Sequence, residues 1–136
     1  MDDEEFDEEK LQFIKQFDAG RYLKSLRDGR SLAVVCKELD VSTAYLSEVE
    51  RGRMPSDHFL IKAAAVYGID EDDLFSRWGK IPMLAQREIK DNHVLLSTLA
   101  QIGRQKLSDA EKDELYDEIY KKYREFITKK RAKKGV

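Results

Sequence analysis

The chain has 136 residues, 41% of them hydrophobic, and 27 acidic against 25 basic residues give a net charge of −2 at pH 7. That length holds one domain, or one small domain with an appendage. No run of 18 apolar residues suggests a membrane span, the acidic start MDDEEFDEE is unlike a secretory signal, and a single cysteine leaves no internal disulfide and fits a reducing cytoplasm.

Seven acids in residues 1–9 repel one another, which predicts disorder there. Leu11, Phe13, Ile14 and Phe17 then mark an amphipathic helix that docks on the domain or runs into the next helix. Residues 1–19 thus form an acidic segment, disordered in part or helical. A domain follows over residues 20–80. Arg21–Asp28 reads as its first helix, with Tyr22, Leu23 and Leu26 inward and Gly29 as its end.

Ser31–Arg53, SLAVVCKELDVSTAYLSEVERGR, is the most specific stretch. Leu32, Val35, Cys36 and Leu39 recur at i, i+3, i+4 and i+7, the stripe of a helix over 32–39. Asp40-Val41 makes a turn, and Ser42 suits the N-cap of a second helix over 43–51. Leu46 and Val49 point inward there, and Gly52 supplies the stop. The outer face carries Ala44, Glu48 and Arg51, flanked by Tyr45 and Ser47. Two short helices, the second with little apolar surface, are the pattern of a helix-turn-helix that lays its second helix in the major groove of duplex DNA.

After Pro55-Ser56-Asp57, the residues Phe59, Leu60, Ala63, Ala64 and Tyr67 define a fourth helix closed by Gly68. Asp70 caps a fifth, with Leu74, Phe75 and Trp78 inside and Gly79 at its end. Residues 81–128 form a separate helical region. A short helix follows Pro82, and another spans 91–102 with Leu95, Leu96, Leu99 and Ile102 as its stripe. Ser108 to Glu111 is a capping box that opens a last helix, carrying Leu115, Tyr116, Ile119, Tyr120, Tyr123, Phe126 and Ile127. So few helices bury too little surface alone, and a second copy is the simplest partner. Leu95, Leu99, Ile102, Leu115, Ile119, Tyr123 and Phe126 are therefore the dimerisation candidates. Residues 129–136 form a basic tail, frayed from Lys129 to Lys134.

Charge is unevenly spread. Residues 1–19 carry eight acids against two lysines, residues 20–80 ten of each sign, and residues 81–136 thirteen bases against nine acids. Thr43, Ala44, Tyr45 and Glu48 are the base-reading candidates, at the start and outer face of the second motif helix. Ser31 and Ser42 cap helices whose N-termini suit phosphate. Arg30, Lys37, Arg51 and Arg53 are the phosphate candidates. Cys36 reads as core. His58 and His93 have no second ligand at metal spacing. No serine elbow, glycine-rich phosphate loop or paired-carboxylate motif occurs, so neither catalytic residues, nor a metal, nor a cofactor is expected.

Ser31–Arg53 and its continuation MPSDHFLIKAAAVYGIDEDDLFSRWGKIP resemble the phage-repressor-like (XRE) helix-turn-helix proteins over about residues 20–82. The matching pieces are Val41-Ser42, Glu50-Arg51-Gly52, Pro55 and the ending over Leu74–Pro82. The resemblance implies an all-α fold: a five-helix lambda-repressor-like DNA-binding domain followed by the small helical dimerisation region. It also implies that Glu50 is buried against a first-helix arginine, for which Arg27 is the candidate. Leu32 stands where the family often has glutamine, and Asp40 where it often has glycine. Leu95 to Phe126 weakly resembles the C-terminal region of DdrO-like and ImmR-like repressors, which implies a regulatory metallopeptidase as a partner. The expectation is a homodimeric, nucleoid-associated repressor on a palindromic operator, with half-sites about 34 Å apart or a multiple of it. An antitoxin bound to its toxin, or an interaction module without DNA binding, are the alternatives.

Overall fold

Side-chain caps set where most helices begin, and left-handed residues set where several stop. The computed structural model describes residues 3–134, which form eight α-helices and, among the described residues, no strand. α1 (Asp3–Ser25), α2 (Leu32–Leu39), α3 (Thr43–Glu50), α4 (Asp57–Tyr67) and α5 (Glu71–Arg77) come first. Ser31, Ser42, Ser56 and Asp70 cap α2 to α5, each side-chain oxygen accepting from the backbone N–H three residues on. Asp40, Gly68 and Gly79 take positive φ beyond α2, α4 and α5. The residue after each donates its N–H to the carbonyl five residues back, which satisfies the helix end. Asp40, at φ 56°, does this without glycine's freedom.

The five helices share one core. α1 packs on α3 and α5, α2 on α3 and α4, and α4 on α5. Leu23, Val35, Leu46, Val49, Leu60, Leu74, Phe75 and Trp78 are fully buried within it. Each such side chain contributes about 1.5–3 kcal/mol of hydrophobic stabilisation, which is why a helix as short as α3 stays in place. The all-α fold with an N-terminal helix-turn-helix is the one expected from the sequence.

α1 differs from its expectation. It is one helix from Asp3 to Ser25: residues 3–9, expected to be disordered, are helical, and the helix expected over Leu11 to Phe17 runs into the one expected from Arg21. Residues 1 and 2 lie outside the described residues. Acids at the start of a helix suit its positive end, so charge repulsion does not forbid the helix. The expected docking stripe also faces elsewhere: Leu11, Phe13, Ile14 and Phe17 are exposed. α1 instead turns Gln12, Gln16, Ala19, Gly20 and Leu23 towards the domain. Small residues decide this face. A Cβ on Gly20 would lie 2.5 Å from the Glu50 carbonyl oxygen, so only glycine lets α1 approach the end of α3 this closely.

The chain divides into two compact units, Met1–Glu88 and Ile89–Val136. α6 (Met83–Asp91) runs across the division in sequence, and α7 (His93–Arg104) and α8 (Asp109–Lys133) belong to the second unit. Asn92 caps α7, its side chain accepting from the Leu95 N–H at 2.8 Å. Ser108 and Glu111 form the expected capping box of α8, at 3.0 and 3.1 Å. α8 continues to Lys133 where fraying from Lys129 was expected, and Lys130, Arg131 and Lys133 suit its negative end. Gly135 and Val136 lie outside the described residues. None of α6, α7 or α8 buries a residue.

Candidate nucleic-acid interface

The candidate surface is held from behind by a buried ion pair. Arg27, at the end of the first helical segment, donates from Nε to Glu50 Oε2 at 2.7 Å and from Nη2 to Oε1 at 3.1 Å. Its remaining Nη1 donates to the Arg30 carbonyl at 2.9 Å. Glu50 is only 7% exposed, so its carboxylate depends on this two-pronged grip. Hydrogen bonding to Glu50 pushes the Arg27 guanidinium above its ordinary range. The pair expected from the family resemblance is thus present, and it ties α3 to α1. Cys36 lies in the core, where burial pushes its thiol up and keeps it protonated.

α3 rests on Leu46, Val49 and Glu50 and turns its other face outward. Ser42, Thr43 and Ala44 are exposed at its start. The Ser42 hydroxyl accepts from the Tyr45 N–H at 3.0 Å, and the other first-turn N–H groups point along the helix axis. Ser31 caps α2 in the same way through the Val34 N–H at 3.3 Å. Lys37 is exposed and pairs with no acid among the described residues.

Four of the sequence candidates are tied to neighbours. Tyr45 is half-buried: its ring meets Phe59 edge-on at 5.4 Å, and its hydroxyl accepts from the Ser56 N–H at 3.2 Å. It braces α3 against the start of α4. Glu48 pairs with Arg53, whose guanidinium also lies 5.1 Å from the Tyr45 ring centre. Arg53 thus balances the Glu48 carboxylate on this face. Arg30 donates to the carbonyls of Arg27 and Leu26 and to Glu38, so it closes the end of α1.

Arg51 is exposed at the end of α3 and borders a shallow hollow that the sequence reading did not assign. Phe17, Arg21, Lys24, Arg27, Leu32 and Ser47 line the rest of it, with Glu50. Arg21 and Lys24 are three residues apart on α1 and Arg27 follows in the turn just beyond it, so all three come to one side, beside α3. The sequence already marks these three among the cations that make the motif's neighbourhood modestly basic; their gathering beside α3 depends on how α1 packs and was not legible.

Among the described residues no group of histidine, cysteine or acidic side chains could hold a metal ion. Among them also, no helix is long and apolar enough to cross a membrane. Residues 18–76 match a family model described as a helix-turn-helix domain, the part of the chain that holds α2, the turn and α3. No curated protein and no solved structure matches the chain.

Proposed function

We propose that this chain, which carries a helix-turn-helix DNA-binding domain over residues 18–76, is a homodimeric transcription regulator that represses by occupying a palindromic operator. The exposed start of α3 is the observation that carries the reading. Thr43 and Ala44 stand free on a helix whose far side is locked by Leu46, Val49 and the Arg27–Glu50 pair. A rigid helix with small free residues at its tip suits close approach to base edges in the major groove.

In this arrangement Thr43 and Ala44 pack on thymine methyl groups, and Glu48 accepts from a cytosine amino group. Arg53 releases Glu48 to a base or shares it, and its positive charge lowers the cost of a carboxylate near phosphates. Tyr45 keeps a hydroxyl proton for a phosphate while its oxygen holds Ser56. The capped N-termini at Ser31 and Ser42, with Lys37 and Arg51, take phosphates on either side of the groove. Arg21 and Lys24 extend that cationic surface. Arg30 serves mainly to close α1.

So few phosphate contacts give one subunit weak binding, and two subunits give useful affinity. The apolar faces of α7 and α8 supply the dimer contact, through Leu95, Leu99, Ile102, Leu115, Ile119, Tyr123 and Phe126. Leu95, Leu99, Ile119, Tyr123 and Phe126 are between 39% and 58% exposed in the single chain, an apolar face of the kind that marks an interaction surface.

Selection of duplexes from a random library by the full-length protein, at about 150 mM salt, tests the reading. An inverted repeat is the expected product. Recovery of no sequence above background overturns it and favours an interaction module or a partner-bound antitoxin.

A further inference from the structure

We infer that α8 pairs antiparallel with the α8 of a second copy of this chain, across a two-fold axis that passes beside Lys121. The inference rests on the homodimer reading and adds its geometry.

The charges of α8 are segregated along its length. Residues 109–118 hold six acids against Lys112, and residues 119–133 hold seven bases against Glu125. A parallel pair would set acid against acid and base against base along the whole contact. An antiparallel pair sets each acidic half against a basic half. The apolar stripe is laid out for the same arrangement. Leu115, Tyr116 and Ile119 precede Lys121 by the same steps by which Ile127, Phe126 and Tyr123 follow it. At 100° per residue these six form one seam on the side opposite Lys121. An antiparallel two-fold through that point brings Tyr116 to the partner's Phe126 and Ile119 to the partner's Tyr123. The same seam is uncovered in the single chain: Tyr116, Ile119, Tyr123 and Phe126 are all exposed.

The register also fixes the flanks. On one side Lys122 faces the partner's Glu118, and Lys129 faces the partner's Glu111. On the other Arg131 faces the partner's Asp113, while Asp117 stays on the outer side, paired with Lys121 of its own helix. Two like-charged contacts stand against these: Lys122 with the partner's Lys122 beside the axis, and Lys112 with the partner's Lys130 at each end of the seam. There both ammonium groups reach solvent on long stems.

The test uses the full-length chain with Cys36→Ala, so that a single introduced cysteine carries the spin label. In the Ala110→Cys protein an antiparallel pair holds the two labels at least about 33 Å apart along the axis, from a rise of 1.5 Å per residue. A parallel pair holds them at one height, separated only by an interhelical spacing of about 10 Å and their outward faces. Mixing Ala110→Cys with Ala132→Cys protein adds a short distance only if the pair is antiparallel. A long distance within each protein and a short one in the mixture is the expected result. A short distance in Ala110→Cys alone overturns the antiparallel pairing and leaves the dimer standing. Absence of any dipolar coupling at dimer-forming concentrations overturns the dimer itself.

Charge exchange gives an independent measure. Asp113→Lys with Glu118→Lys, or Lys122→Glu with Arg131→Glu, should each weaken dimerisation about tenfold or more. All four changes together should restore it. A four-fold variant as weak as either double variant overturns the orientation.

Discussion

Gly20 shows how position reverses a residue's ordinary effect. In an exposed helix, replacing glycine by alanine stabilises by about 1 kcal/mol. At Gly20 the new Cβ would strike the backbone of α3, at Glu50, which cannot swing aside as a side chain does. Gly20→Ala should therefore destabilise the first unit by about 1–3 kcal/mol, read as a lower urea midpoint. An unchanged or higher midpoint would mean that α1 does not cross α3 here. Tyr67 gives a second, pH-dependent test. Burial, with the nearby Glu50 charge, pushes its phenol up to about 12, and its hydroxyl has no hydrogen-bond partner among the described residues. Below pH 10 folded and unfolded chains both keep the proton, so stability is insensitive to this group. Between pH 10 and about 12 the unfolded chain loses the proton first, and stability falls as pH rises. Tyr67→Phe should flatten that decline, by on the order of 1–2 kcal/mol. At pH 7 it should be neutral or slightly stabilising, since an unpartnered hydroxyl is removed. Parallel alkaline curves for the two proteins would rule out a buried phenol.

The helices whose ends carry chemistry were the legible ones. α2 begins and ends at the expected residues, because Ser31 and Asp40 are a cap and a left-handed stop that act locally. α3 falls one residue short of its expected end, and α4 and α5 follow Ser56 and Asp70 equally well. α1 was not legible, because what positions it is a contact rather than a pattern. Its apolar residues suggested one face, while Ala19 and Gly20, too small to register as a stripe, set another. The candidate site divides the same way. Thr43 and Ala44 follow from helix geometry, but the engagement of Tyr45 with Phe59 and Ser56, and of Glu48 with Arg53, depends on neighbours distant in sequence. Two substitutions separate the proposed roles. Ala44→Arg places a bulky cation at the tip of α3 without touching the core. It should abolish preference for the selected operator while the melting temperature stays unchanged. Lys24→Ala should instead weaken binding to all duplexes alike and lower the slope of log affinity against log salt by about 1. An Ala44→Arg protein with full operator preference would remove α3 from base reading. An unchanged salt slope would remove Lys24 from the phosphate contacts.

Across the whole molecule, stability and affinity have separate sources. Among the described residues every buried apolar side chain lies between Ala19 and Trp78, so the first unit carries its own core. Among its described residues the second unit fully buries no side chain in one chain, and its stability depends on whatever covers its apolar faces. Removal of everything after Lys90 should therefore leave the cooperative melting of the first unit nearly intact. The same truncation removes α7, α8 and the dimer contact. Affinity for an inverted repeat should then fall by about 10²–10⁴, since the second half-site is no longer bound as part of one particle. Binding to an isolated half-site should barely change, because α2, α3 and the cations beside them remain. Titration of both proteins against both duplexes gives four affinities, and the dimer model requires the loss to be confined to one of them. If the truncated protein binds the inverted repeat as tightly as the full chain, the C-terminal helices serve some other partner. If it fails to fold, the first unit leans on residues beyond its own core.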